Sequence, residues 1–286
     1  MTNLLPRLEF LLQSCVRRRD KCPNCGDRET ELLGRKHVVT RIRRCPTCEL
    51  CFTDPIYDKS LLGPLYDRVY GAEGSTTSTP SAERLVELIQ SGFAGTDKDC
   101  RDRLRTLRRI APGPRLLEVG SSWGYFLHQA QAAGFQPTGI EISGPRREFG
   151  RELLRVDTRD SFEAVEGESF DVIYTAHTLE HFTSFSGVLV LLRRLLGPGG
   201  LLAIEVPNFA PHLHGREAMT QVGAVHPLGF RSAFFRKALP AAGLRVRSFH
   251  ERWGDVPHKG VDECRGDVVI VLAERAASED AEECAA

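Results

Sequence analysis

Two Cys-x-x-Cys pairs have the spacing of metal ligands. Cys22 and Cys25 form the first pair, Cys45 and Cys48 form the second, and 19 residues separate them. Each Cys-x-x-Cys turn directs two sulfur atoms at one point, and two such turns at this distance are typical of a tetrahedral Zn²⁺ held by four thiolates. We therefore predict a structural zinc site. The alternatives are four reduced thiols and a redox centre, which would need only one pair. The other cysteines are expected to pack as small apolar side chains: Cys15, Cys51, Cys100, Cys264 and Cys284.

A glycine-containing turn follows the apolar segment RLLEV and has the features of a nucleotide site. The turn contains Glu118, Gly120, Ser122 and Gly124. Glycine at the end of a strand lets the backbone approach a ligand without the steric hindrance of a Cβ atom. Glu141 lies 21 residues after Gly120, at the end of the next predicted strand. A carboxylate at that position suits the two hydroxyls of a ribose.

The spacing of this turn indicates which cofactor it suits. A dinucleotide fingerprint is G-x-G-x-x-G, whereas this turn is E-x-G-x-x-x-G with Ser122 in place of the second glycine. Glu118 would repel a pyrophosphate, but it can help to hold the cationic amino-acid end of S-adenosylmethionine. The turn therefore favours S-adenosylmethionine. The alternative is an ordinary tight turn between a strand and a helix.

The elements that must position these residues alternate between strand and helix. Such alternation predicts an α/β fold with a doubly wound, mostly parallel sheet covered by helices on both faces. The predicted strands are residues 115–120, 137–143, 170–176, 201–208, 244–249 and 267–274, and the predicted helices are 125–134, 144–154, 184–196 and 231–243. The predicted organisation is an N-terminal helix (1–20), a cysteine-bearing leader (21–73), a linker with helices (74–112), the doubly wound domain (113–275) and a disordered acidic tail (276–286).

Composition excludes several classes of partner. The 286 residues include 38 basic and 38 acidic side chains, and this zero net charge argues against a general affinity for nucleic acid. No apolar run approaches the roughly 18 to 20 residues of a membrane helix, and the N-terminus has no signal-peptide pattern. We expect a cytoplasmic protein.

Further motifs give the chain a family resemblance. It contains LEH at 179–181, GPGG at 197–200, VPN at 206–208 and HPLGFRSAFFRKALPAAGLRV at 226–246. In these segments it resembles class I S-adenosylmethionine-dependent methyltransferases, from about residue 113 to 273. The segments CPNCG and RCPTCELCFTDP are similar to the zinc-ribbon leader of bacterial methyltransferases that act on sugars and other small metabolites. The chain departs from the family at Glu49 and Ser122, where glycine is usual.

The resemblance implies a seven-stranded Rossmann-like sheet with a small zinc ribbon. It also implies methyl transfer from S-adenosylmethionine to a sugar or a natural-product intermediate, with an oxygen acceptor favoured over carbon. A zinc-ribbon RNA methyltransferase and a non-catalytic binding module are the alternatives. The sequence gives no indication of the oligomeric state.

The resemblance also places candidate site residues after the predicted strand at 170–176. His177 stands at the end of that strand, where it is expected to contact the methionine part of the cofactor. His181 follows four residues later and is the first candidate for a general base. The alternative is that Glu180 and His181 only brace the loop. His226 is a further catalytic candidate, and Asp160 is a candidate for contacting adenine.

Overall fold

A seven-stranded sheet forms the larger part of the described chain. The structure, a computed structural model, describes residues 21–36, 40–55, 78–223, 225–256, 258 and 260–275. The predicted N-terminal helix and acidic tail, and the linker residues before 78, lie outside these ranges. The strands of the large sheet are β4 (Arg115–Val119), β5 (Gln136–Ile140), β6 (Asp157–Arg159), β7 (Phe170–Ala176), β8 (Leu196–Pro207), β10 (Leu244–His250) and β11 (Val268–Arg275).

The strand order confirms the predicted Rossmann-like fold. The order is β10-β11-β8-β7-β4-β5-β6. The pairs among β6, β5, β4, β7 and β8 are parallel, whereas β11 is antiparallel to both of its neighbours. The central strands are apolar on both faces because helices cover both sides. The carboxyl ends of β4, β5 and β7 therefore meet at one edge, where ligands bind in such sheets.

Seven α-helices within the described residues connect or cover these strands. The helix α1 begins after Ser81, whose side chain accepts a hydrogen bond from the backbone N–H of Arg84 and caps the helix. The helices are α1 (Ala82–Gln90), α2 (Arg101–Ile110), α3 (Tyr125–Ala132), α4 (Gly144–Phe149), α5 (Val188–Leu195), α6 (Pro211–Gln221) and α7 (Ser232–Ala241).

The largest differences between the predicted and the observed strands are at the end of β5 and at the start of β8. The strand β5 ends at Ile140, so residues 141–143 form a connection to α4 instead of completing the strand. The strand β8 begins directly after α5 and includes the GPGG segment, which was predicted to separate the two elements. A register shift between Phe170 and Val172 accommodates the extra glycine-rich residues opposite β7.

A second, smaller sheet joins the cysteine-bearing segment to the larger part of the chain. Its strands are β1 (Glu31–Lys36), β2 (Thr40–Arg44), β3 (Cys51–Asp54) and β9 (Leu228–Gly229), all antiparallel in that order. The first three strands belong to the ribbon. The fourth comes from the segment that follows α6, so the ribbon is hydrogen-bonded directly to the segment that carries His226.

Candidate active site and zinc site

The four predicted zinc ligands converge in the structure. Their sulfur atoms all lie within 4.8 Å of one another, with 3.5 Å between the sulfurs of Cys22 and Cys48 and between those of Cys25 and Cys45. The thiols are free, and 3.5 Å is too long for a disulfide. A tetrahedron with Zn–S bonds of about 2.3 Å has S–S edges of roughly 3.8 Å. The cluster therefore fits one Zn²⁺, as the spacing predicts.

The two cysteine turns share one backbone geometry. Gly26 donates a hydrogen bond to the carbonyl of Cys22, and Glu49 donates one to the carbonyl of Cys45. Both residues have a positive φ, 79° for Gly26 and 67° for Glu49, which explains why glycine is usual at position 49. Here the Glu49 carboxylate instead forms ion pairs with Arg231 and with Lys237 of α7. The departure from glycine thus joins the second cysteine turn to the larger domain.

We predict that the double variant Cys22→Ser/Cys45→Ser loses zinc, because only two thiolates remain. The purified protein should contain about one zinc per chain, and the double variant close to none, with a lower thermal unfolding temperature. Metal analysis and calorimetry measure both. Cys51→Ala is the matched control, since Cys51 is buried against Ile42, Phe209 and Val222 outside the cluster. Full zinc content in the double variant would contradict the assignment.

The turn after β4 has little space for side chains. A Cβ atom on Gly120 would lie 2.0 Å from Oγ1 of Thr178, and Gly120 has a φ of 83°. Gly124 also has a positive φ and begins α3. Ser122 adopts a φ of 50° at the position where the family usually has glycine. Serine therefore keeps the same turn, at the cost of a conformation that glycine adopts more readily.

Glu141 binds this turn from the end of β5. Its two carboxylate oxygens accept hydrogen bonds from the backbone N–H groups of Ser122, at 2.9 Å, and Ser143, at 2.8 Å. Each oxygen still has a second lone pair, so both can also accept a hydroxyl. The next residue, Ile142, is 77% exposed, which leaves an apolar surface beside the carboxylate.

Glu118 lies beneath the turn in a fully buried position. Burial raises the pKa of Glu118 well above its usual range, and the nearby Glu141 charge raises it further, whereas Arg103 lowers it. Within the described residues, Oε2 of Glu118 and Oγ of Ser122 have no hydrogen-bond partner. Buried polar atoms without partners are costly. These two atoms therefore favour a polar ligand at this edge.

The loop after β7 begins with a strained histidine. His177 has a φ of 48°, and its Nε2 lies 3.2 Å from Oε1 of Glu205 on β8. Glu205 also accepts a hydrogen bond from Trp253 and lies 3.5 Å from the guanidinium of Arg103. Burial alone would lower the pKa of His177, but the hydrogen bond that it donates to Glu205 and the charges of Glu180 and Glu205 raise it.

His181 and His226 meet across the site, although 45 positions separate them in the chain. Their ring centroids are 4.6 Å apart at an interplanar angle of 71°. His181 donates from Nδ1 to the carbonyl of Val225, at 2.9 Å. His226 donates from Nδ1 to the carbonyl of Gln221, at 3.1 Å. This bond leaves the lone pair of a neutral His226 on Nε2.

Burial and neighbouring charges favour the neutral form of the imidazole rings of His181 and His226. Burial, followed by repulsion from His226, lowers the pKa of His181 to about 4. Burial also lowers the pKa of His226. The neighbouring Glu180 is 2% exposed, and burial raises its pKa to about 7. A small pocket is lined by Glu180, Phe209 and His226, among others. A neutral imidazole in such a pocket can accept a proton.

The structure brings most of the predicted site residues to one edge of the sheet. Asp160 follows β6 directly and is exposed there. Sequence reasoning missed Glu205 and Ile142. The signal for Glu205 was a single charged residue within the apolar strand sequence LLAIEVPN. None of the helices in the described part of the chain is long and apolar enough to cross a bilayer.

Comparison with known proteins identifies the family. A family model described as "Methyltransferase domain" matches residues 94–248, more than half of the chain. The chain therefore belongs to this methyltransferase-domain family, as its motifs indicate.

Individual relatives match over shorter stretches. A ubiquinone biosynthesis O-methyltransferase from Roseobacter denitrificans is 30% identical over 122 residues, which cover 40% of this chain and 48% of the relative. The 27-O-demethylrifamycin SV methyltransferase of Amycolatopsis mediterranei is 31% identical over 128 residues, 41% of this chain and 47% of the relative. An S-adenosyl-L-methionine-dependent Diels-Alderase from Talaromyces variabilis is 25% identical over 174 residues, 52% of this chain and 60% of the relative. The chain thus spans about half the length of the first two.

A solved structure shares the fold. A TehB-like S-adenosylmethionine-dependent methyltransferase from Corynebacterium glutamicum aligns with a TM-score of 0.50 and 17% identity, over 75% of this chain and 100% of that one. At this identity the likeness concerns the fold alone. S-adenosylmethionine is the cofactor of such methyltransferases, and the close-fitting turn at Gly120, the unpartnered atoms of Glu118 and Ser122 and the carboxylate of Glu141 fit its ribose and its cationic end.

We predict that Glu141→Gln weakens S-adenosylmethionine binding at least roughly tenfold, because charge-assisted hydrogen bonds contribute about 1.5 to 3 kcal/mol. Glutamine keeps one oxygen for the turn but loses the charge and an acceptor. Isothermal titration calorimetry measures the affinity. The control is Glu168→Gln, at the amino-terminal edge of the sheet. Unchanged affinity in a folded Glu141→Gln protein would mean that the ribose binds elsewhere.

Proposed function

We propose that the protein transfers the methyl group of S-adenosylmethionine to a hydroxyl oxygen of a small metabolite. The observation that carries this proposal is the contact between the rings of His181 and His226, which brings a second histidine to the loop that follows the carboxyl end of β7. The bound cofactor supplies an electrophilic methyl group. A hydroxyl acceptor must lose its proton as the new C–O bond forms and the C–S bond breaks, and a neutral imidazole can accept that proton.

The hydrogen bonds support His226 as the proton acceptor and His181 as the residue that positions it. Both rings donate from Nδ1 to a backbone carbonyl, and His226 is the one of the two that lines the small pocket. The Nδ1–H of His226 is used by Gln221, which leaves Nε2 as the basic nitrogen of a residue that lines the pocket. With His226 as the proton acceptor, His181 has the other role considered for it, which is to brace the loop after β7.

Glu205, on β8, supports the proposed site by positioning His177. It fixes the orientation of His177 at the end of β7, while Arg103 and Trp253 hold Glu205 in place. Burial would raise the pKa of Glu205, but these three partners outweigh burial and lower it. The ionised carboxylate holds His177 where the methionine part of the cofactor is expected.

The comparisons favour a small-molecule substrate over RNA. Two relatives are named for ubiquinone biosynthesis and for a demethylrifamycin, and the zero net charge of the chain offers no general attraction for nucleic acid. A third relative is named a Diels-Alderase, so methyl transfer must be measured directly. Incubation with methyl-labelled S-adenosylmethionine and a metabolite extract, followed by mass spectrometry, would identify a labelled product. Cofactor binding without any labelled product would contradict the proposal.

We predict that His226→Asn lowers turnover by roughly 10² to 10⁴. Asparagine can still donate to the carbonyl of Gln221, but it cannot accept the proton at the position of Nε2. Cofactor affinity should stay within a few-fold of the wild type. The measurement is steady-state kinetics, with binding followed by calorimetry.

Two further variants serve as controls. His181→Asn retains a donor for the carbonyl of Val225 and should keep turnover within about tenfold. His212→Asn changes an exposed histidine that pairs with Glu263 and should have no effect. A larger loss in His181→Asn than in His226→Asn would assign the proton to His181.

We also predict that turnover falls in acid. Because the pKa of His226 is lowered by burial, the ring stays neutral at pH 7 and becomes protonated only below the value of about 6.5 for an exposed histidine. The acid limb of the kcat profile should therefore lie below pH 6.5. A rate that rises as the pH falls through this range would exclude a neutral imidazole as base.

A further inference from the structure

The ribbon reaches the proposed proton acceptor through one side chain. Lys36, the last residue of β1, donates hydrogen bonds from Nζ to the carbonyl of Thr220, at 2.7 Å, and to the carbonyl of Val222, at 3.1 Å. The carbonyl between them belongs to Gln221 and accepts the Nδ1–H of His226. Lys36 and His226 therefore bind three consecutive carbonyls at the C-terminus of α6.

This arrangement uses groups that a helix end leaves available. The last carbonyls of a helix have no partner within the helix and carry partial negative charge. A lysine ammonium satisfies two of them and fixes their direction. The direction of the Gln221 carbonyl in turn fixes the imidazole of His226. The close fit extends to Gly223, where a Cβ atom would lie 3.0 Å from Nζ of Lys36.

We infer that Lys36 is a positioning residue for His226, so that the zinc ribbon supplies part of the methyl-transfer site. The inference rests on the proposed function only for the role of His226. Lys36 holds the turn that orients the ring, and it places a positive charge nearby that favours the neutral imidazole. Lys36 is assigned no role in cofactor binding, because Gly120 and Glu141 follow strands β4 and β5 of the large sheet, whereas Lys36 ends strand β1 of the ribbon.

Several charged or titratable groups face His226 besides Lys36. His181 stacks edge to face with it, and Glu180 lines the same pocket. Burial lowers the pKa of His226 most, the hydrogen bond to Gln221 raises it, and the charges of His177 and Lys36 lower it. Replacement of Lys36 by a neutral donor removes one contribution that lowers the pKa of His226. Replacement by an apolar side chain also releases the carbonyls on either side of Gln221, and so weakens the hydrogen bond that raises this pKa.

The experiment is an NMR titration of His226 in the zinc-loaded full-length protein, with no substrate added. The His226 signal is assigned by its absence in His226→Gln. In Lys36→Gln, which loses the charge but keeps a hydrogen-bond donor, we expect the pKa of His226 to rise by roughly 0.5 to 1 unit. Lys36→Arg should restore the wild-type value, because it keeps the charge and the donors. Lys36→Met loses the donor as well, so the hydrogen bond from His226 to Gln221 weakens and the pKa should rise by less than in Lys36→Gln.

The matched control is Arg35→Met, which removes a positive charge from the adjacent, exposed position of the same strand. It should leave the His226 titration unchanged. Zinc content is measured in each variant, so that unfolding of the zinc ribbon is not mistaken for the effect of replacing Lys36. An unchanged His226 pKa in zinc-loaded Lys36→Gln protein would overturn the inference. Equal pKa values in Lys36→Gln and Lys36→Met would also overturn it, as would an equal rise in Arg35→Met. The titration does not depend on turnover. A failure of the inference about Lys36 can therefore be distinguished from a failure of the proposed methyl transfer.

Discussion

The antiparallel pairing of β3 with β9 is the interaction on which the acceptor side of the site depends. Cys51 lies opposite Gly229 and Phe52 opposite Leu228, and the N–H of Thr53 donates to the carbonyl of Pro227, at 2.9 Å. Two residues are too few for an independent strand, so the ribbon must supply its partner. A second contact fixes the loop that carries His181. The carbonyl of Pro23, in the first cysteine turn, accepts hydrogen bonds from the backbone N–H groups of residues 185 and 186. The ribbon thus holds both segments that carry the paired histidines.

Electrostatics divide the carboxyl edge of the sheet into two halves with different chemistry. On the cofactor side, Glu118 and Glu141 concentrate acceptor groups that suit a cationic ligand with a ribose. On the acceptor side, burial favours the neutral forms of His181 and His226, which suits proton transfer better than charge binding. His177 lies between the two halves and is held by Glu205. The order of the strands brings the halves together, since β4 lies between β5 and β7.

Local signals in the sequence predict most of the fold and the zinc site, because alternating apolar segments and ligand spacing are short-range properties. The strand at 170–176 and the cluster of Cys22, Cys25, Cys45 and Cys48 are confirmed as predicted. The pairing of His181 with His226 is different, since it depends on how two distant segments meet. The same holds for Lys36, which the sequence shows only as one of several basic residues between the two cysteine pairs. The role of Glu49 was also hidden, because two of its ion pairs reach Arg231 and Lys237, more than 180 positions away.

The central claim is that the zinc ribbon holds the acceptor side of the site and leaves the cofactor side independent. Amide hydrogen exchange, measured by mass spectrometry with and without a zinc chelator, tests this claim most directly. We expect zinc removal to increase exchange at residues 179–186 and 220–231, while residues 116–142 keep their protection and S-adenosylmethionine still binds. Unchanged protection of the two histidine segments after zinc removal would contradict the claim, and so would a uniform loss of protection along the chain.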